Sequence, residues 1–167
     1  MMKEVNYLEY ADKAIEVLSK GAFLTTAADG QVNTMTIAWG SIGFVWAKPV
    51  FMAMVRPSRH TYQLIEKSGE FTVSIPLNDM QQALALCGTK SGRDMDKMAA
   101  AGLSTLPGQK VSTPAIAGCG LHFECKVLYK QAMTSENLET EINTKKYGTG
   151  DYHTLYFGEI VSAYTEE

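Results

Sequence analysis

The chain has 167 residues, 46% of them hydrophobic, with a formal net charge of −3 from 15 basic and 18 acidic side chains. That length suits one domain with a real core, and the acid excess argues against a broad nucleic-acid footprint. Cys87, Cys119 and Cys125 form no CxxC pair, so neither a disulfide framework nor a zinc motif is indicated. Free or buried thiols in a reducing cytoplasm are expected. The first 18 residues carry acids inside their apolar pattern, unlike a signal peptide. No apolar run approaches the ~18 residues that span a bilayer, so the expected location is the cytoplasm, away from membranes.

In chain order, Tyr7, Tyr10, Ala11, Ala14, Val17 and Leu18 recur at helical spacing until Gly21. Residues 22–28 and 31–37 read as strands joined at Asp29-Gly30, a dipeptide that tolerates the positive φ of a tight hairpin. Residues 50–55 are almost wholly apolar, as in a strand covered on both faces. Ser58 is the expected N-cap of a helix through Ser68, with Gly69 just beyond it. Phe71, Val73 and Ile75 alternate with Thr72 and Ser74 up to Pro76. Asn78 with Gln81 has the form of a capping box for a helix reaching Cys87. A short helix is expected over residues 94–101, ending at Gly102. Residues 107–118 form a loop rich in Gly, Pro and Thr. Leu121, Phe123, Cys125, Val127 and Tyr129 then alternate with polar residues, giving a half-buried strand, and a last strand covers residues 154–164. Strands outnumber short helices and several are joined as hairpins. The fold class is therefore mainly β, an antiparallel barrel with peripheral helices, rather than a doubly wound parallel sheet.

No Gly-x-Gly-x-x-Gly follows a strand, and neither a Walker motif nor a Gly-x-Ser-x-Gly elbow is present. His60, His122 and His153 are too dispersed for a zinc motif. The segment Arg56-Pro57-Ser58-Arg59-His60-Thr61 sets two guanidiniums at a helix start. Free N–H groups and the helix dipole favour an anion there, and the planar fork of Arg suits phosphate. The alternative is a capped helix with solvated or salt-bridged arginines. In Asn33-Thr34-Met35-Thr36-Ile37-Ala38-Trp39, Asn33 offers donors and acceptors to the edge of a heteroaromatic ring. Thr36 and Ala38 are small enough for a flat ligand to approach; the alternative is an ordinary core strand. The loop from Cys87 to Arg93 could close over a ligand with Lys90 and Ser91 as donors, or be a solvated linker. The turn from Tyr147 to His153 carries aromatics that could stack on a ring, or is only a loop.

In this order, the stretches NTMTIAWG, KPVFMAMVRPSRHTYQLIEKSGEFTVSIP, CGTKSGRDMDKMAAAGL, LHFECKV and GEIVSAY resemble the flavin reductase-like family, and most of all its flavoredoxin-type branch. The resemblance covers the chain from about Gly21 onward. It implies a single domain, residues 1–167, folded as an FMN-binding split β-barrel with the cofactor at a homodimer interface. It further implies that Asn33, Met35, Thr36, Ala38 and Trp39 lie along the flavin, and that Arg56, Ser58, Arg59 and Thr61 serve its phosphate. Lys90, Ser91 and Gly92 would form a loop approaching the cofactor, with His153 closing near it. Phe44, Val45 and Trp46 would lie at the subunit seam or pack within the monomer. The implied activity is that of an NAD(P)H-dependent flavin reductase, with NADH or NADPH as donor. The alternatives are an FMN electron carrier to a redox protein partner, or a flavin-binding module without turnover. No catalytic side chain is expected, because the flavin carries the chemistry.

Overall fold

Thirteen-residue strands organise the molecule. The computed structural model describes residues 1–167. β1 is Met2–Glu4, and a single 3-10 turn, Tyr7–Glu9, precedes α1, Ala11–Leu18. β2 (Ala22–Ala28), β3 (Gln31–Ile37), β4 (Gly40–Val45) and β5 (Lys48–Val55) follow as two hairpins. α2 is His60–Ser68 and β6 is Glu70–Pro76. α3 is Gln81–Thr89, α4 is Lys97–Ala100, and β7 (Thr105–Leu106) pairs with β8 (Ala115–Ile116). β9 is Gly120–Ala132, α5 is Thr140–Tyr147 and β10 is Thr154–Glu166.

All pairings are antiparallel, in the order β3-β2-β6-β9-β10-β5-β4, with β1 added to the far end of β10. The order agrees with the barrel-like reading. β9 and β10 run side by side almost throughout, with register shifts at Phe157/Gly158 and Ile160/Ser162. Such irregularities bend a strand and raise its twist. Gly158 is required at the first of them: a Cβ there would lie 2.6 Å from the Phe71 ring. β3 and β4 are left as edges, and β3 carries much of the candidate site.

The main core is the alternating apolar set of β2, β5, β6, β9 and β10. It includes Phe51, Phe71, Val73, Ile75, Phe123 and Tyr156, with Ala14 and Leu18 of α1 laid over it. The Tyr156 hydroxyl donates to Glu66 at 2.7 Å, so the buried ring keeps its polar tip satisfied. A smaller cluster of Phe23, Leu84, Cys87, Ile116 and Cys119 lies beneath α3. All three cysteines are buried and unbridged. Two buried polar constructions tie loops to the sheet. Glu124 of β9 accepts the backbone N–H groups of Gln109, Lys110 and Val111. His122 bridges Ser74 (3.0 Å) and Glu166 (2.7 Å).

Several local expectations need correction. Ser58 does not cap α2; Arg59 occupies the cap position, and the Ser58 hydroxyl instead meets Asp151, 93 residues away. The Asn78–Gln81 capping box does not form. Met80 is the N-cap of α3, Asn78 donates to the Gly118 carbonyl, and the Gln81 N–H goes to Asp79. That helix runs on to Thr89. The helix expected over residues 94–101 contracts to α4, because the Asp96 side chain caps it by accepting from the Ala99 N–H. β1, β4, β7 and α5 have no counterpart in the sequence reading, and β8 lies within the segment 107–118 expected to be loop. No helix is long and apolar enough to cross a membrane.

Candidate functional site

Four segments converge beside β3. Asn33, Met35 and Ile37 share one face of that strand and are buried, as the alternation requires. The chain then exposes Ala38 and Trp39 before entering β4. The connection from β5 to α2 brings Arg56, Ser58 and Arg59, and the loop between α3 and α4 brings Lys90, Ser91 and Gly92. The turn after α5 brings Asp151 and His153.

Two adjoining cavities result. The larger, about 640 Å³, is lined by Asn33, Met35, Arg56, Ser58, Arg59, Thr61, Lys90, Ser91 and Gly92, together with His60, Arg93, Lys97, Lys146 and Asp151. The smaller, about 170 Å³, is lined by Met35, Thr36, Ile37, Ala38, Trp39, Met54, Arg56, Arg59 and His153. Met35, Arg56 and Arg59 belong to both, so the two make one cleft. Every site residue named from the sequence therefore lines this cleft. Small-molecule pockets commonly occupy ~300–1,000 Å³.

The two ends differ in chemistry. The larger cavity is almost entirely polar and gathers six cationic side chains, Arg56, Arg59, Lys90, Arg93, Lys97 and Lys146, against two carboxylates, Asp94 and Asp151. In a chain of net charge −3 this is a focused positive field, suited to an anion. The smaller end is more apolar, with Trp39 and His153 rings 5.6 Å apart.

The hydrogen bonds assign work to each group. The Asn33 amide donates to Thr61 Oγ1 at 2.8 Å, which fixes its orientation. Its Oδ1 lies so near Gly92 that a Cβ there would come within 2.1 Å, so glycine is what lets the loop close onto β3. Thr36 donates to the Leu84 carbonyl at 2.6 Å, holding α3 against the strand. Arg56 donates to the carbonyls of Asp151 (2.9 Å) and Lys146 (3.1 Å) and lies over the Tyr147 ring at 4.7 Å. It pins the α5–β10 turn. Arg59 uses Nη1 on the Gly88 carbonyl at 3.2 Å, and Arg93 uses Nη1 on the Ser58 carbonyl at 2.8 Å.

His153 is buried, and its Nδ1 lies 2.6 Å from the Tyr147 hydroxyl. Burial, with Arg56 adding, pulls its pKa down to about 4, so the ring is neutral at pH 7. With the Tyr147 hydroxyl donating to Nδ1 at 2.6 Å in preference to the weaker acceptor Met133 Sδ at 3.5 Å, the ring hydrogen sits on Nε2.

Sequence reasoning missed Lys97. It is only 5% exposed, forms no ion pair, and has a single hydrogen bond, to the Cys87 carbonyl at 3.1 Å. Two of its three N–H donors thus have no protein acceptor. Burial, with Arg59 adding, holds its pKa below the ordinary lysine range. His60 Nδ1 is likewise buried without a partner. Nothing in the pattern of α4 marks Lys97 as inward-facing, whereas Arg93 and Asp151 stand inside the two loops whose sequence suggests ligand contact.

The family model described as flavin reductase like domain matches residues 17–167. The chain belongs to the flavin reductase-like family. An uncharacterised protein of Archaeoglobus fulgidus is 29% identical to it over 94% of this chain and 75% of that protein. Flavoredoxin from Methanosarcina acetivorans superposes with a TM-score of 0.70 at 26% identity, over 88% of this chain and 68% of that one. An FMN-binding domain of a flavin reductase-like enzyme from Shewanella baltica also gives 0.70, at 20% identity, over 99% and 77%. The fold of this flavin reductase-like protein is thus the FMN-binding split barrel, as the resemblance implied.

Proposed function

We propose that this chain binds FMN in the β3 cleft and acts as an oxidoreductase through it. The observation that carries the reading is the joining of a six-cation anion pocket to a Trp39–His153 aromatic end in one cleft. The group fits the residues present. Ser58, Arg59 and Lys97 would hold the phosphate, and Lys97 has unused donors for it. Asn33, Met35, Thr36, Ala38 and Trp39 would lie along the ring system, with Lys90, Ser91 and Gly92 closing the loop over it. His153 would offer an Nε2–H as a neutral donor. Arg56 and Thr61 act indirectly, by holding the turn and the Asn33 amide. Bound FMN would supply the redox chemistry that no side-chain constellation here provides.

The fuller reading is an NAD(P)H-dependent flavin reductase. A second reading, favoured by the likeness to flavoredoxin, is an FMN carrier that exchanges electrons with a protein partner. Anaerobic mixing of the FMN-loaded protein with NADH and with NADPH separates them. Bleaching of the yellow colour within seconds by either nucleotide is the expected result. Colour that persists until a reduced partner protein is added would replace the reductase with the carrier.

The same reading makes the protein a homodimer. Phe44 and Trp46 are 68% and 55% exposed, and the Trp46 ring packs edge-on against Tyr129 and Phe157. Contiguous exposed apolar surface of this kind marks an interaction face. Trp46 and Ala47 also hold positive φ at the hairpin tip (54° and 55°), a costly conformation for such residues. Light scattering of the loaded protein should give twice the chain mass of 18.3 kDa. A single-chain mass with FMN bound would contradict the shared seam.

A further inference from the structure

We propose that Asp151 is a built-in competitor for the ligand's phosphate, its carboxylate taking the place at Ser58 that a phosphate would otherwise fill. This rests on the FMN reading above. Asp151 Oδ2 accepts the Ser58 hydroxyl at 2.5 Å, and Oδ1 accepts the Ser58 N–H at 3.3 Å. A backbone N–H and a hydroxyl just before α2 are the donors an anion would seek. A carboxylate of the chain itself already holds them.

The arrangement is poised for exchange. The main chain of Asp151 is tied down separately, through Arg56 to its carbonyl oxygen. The side chain can therefore swing away while the turn stays in place. Asp151 is exposed, and no lysine or arginine pairs with its carboxylate. Lys97, deep in the same cavity, keeps two donors that the carboxylate does not reach. A phosphate has enough oxygens to take the Ser58 donors and to engage Arg59 and Lys97 as well. It displaces Asp151, but its net gain is reduced by the contacts that Asp151 gives up. A ligand without phosphate leaves Asp151 where it is. The device thus weakens the hold on phosphorylated flavin selectively and keeps that flavin exchangeable.

The test is the affinity of flavin-free protein for FMN and for riboflavin in Asp151→Asn. Asn tolerates the positive φ of 57° at this position, so the turn is preserved. Asp151→Gly, which also accepts that φ, guards against an effect peculiar to the amide. The expected result is FMN bound about ten-fold more tightly in both variants, with riboflavin unchanged. Inorganic phosphate should also compete with FMN at lower concentration in the variants than in the wild type. FMN affinity unchanged or weakened in both folded variants, with wild-type binding intact, overturns the competitor and leaves the FMN reading standing. Absence of FMN binding in wild type and variants alike removes both.

Discussion

Arg59→Ala should weaken FMN about ten- to one-hundred-fold while leaving riboflavin within about three-fold of wild type. Arg59 lines both cavities at the place where the cationic end meets the aromatic end. Only one of its guanidinium N–H groups is used within the protein, on the Gly88 carbonyl. A charge-assisted hydrogen bond contributes ~1.5–3 kcal/mol, which sets the expected range. Riboflavin has no phosphate, so the loss should not appear there. Asn33→Ala should behave differently, weakening FMN and riboflavin alike, because the Asn33 amide is fixed by Thr61 beside the ring-binding strand. Paired titrations of the two variants, with folding checked by circular dichroism, decide the matter. Equal loss for both ligands in Arg59→Ala, or loss for neither, would remove this arginine from the phosphate site.

The largest effect on stability is expected from Glu124→Ala. Glu124 is fully buried in β9, and its carboxylate gathers N–H groups from Gln109 (2.7 Å), Lys110 (2.6 Å) and Val111 (3.3 Å). These successive amides form an anion-binding nest. Alanine would remove three hydrogen bonds to a charged group, each contributing ~1.5–3 kcal/mol, and would leave the buried Val111 N–H without an acceptor. Partial relaxation of the loop makes a total of about 4 kcal/mol reasonable. For a domain of this size ~1 kcal/mol shifts Tm by about 2–4 °C, so a fall on the order of 10 °C is expected in a thermal melt. FMN affinity measured well below Tm should hardly change, since Glu124 is not among the residues lining the cleft. A melt within about 2 °C of wild type would mean that the nest contributes little.

Much of the barrel was legible because its residues obey local rules. The alternation in β9, the apolar run of β5 and the Asp29-Gly30 turn each declare themselves within a few residues. β4 did not, because its glycines and exposed apolar residues break the alternation, and its turn places Trp46 and Ala47 where glycine or asparagine would be expected. α5 was hidden for the opposite reason: it is polar nearly all round and buries only Tyr147. The site residues on β3 and before α2 were found as segments, yet their individual roles were not. The Ser58 hydroxyl is captured by Asp151, and Arg56 by the carbonyls of Asp151 and of Lys146 in α5. Such partners are set by the fold across more than 80 residues, and no local signal announces them. Lys97 escaped notice because one inward-facing lysine on a four-residue helix has no periodicity to reveal it.

FMN binding in the β3 cleft is open to direct measurement. Titration of flavin-free protein with FMN, followed by quenching of flavin fluorescence, tests it directly. Saturable binding is expected, one FMN per chain, with Kd of about 1 μM or below, equivalent to about −8 kcal/mol. No saturation at high micromolar FMN by folded protein would contradict it.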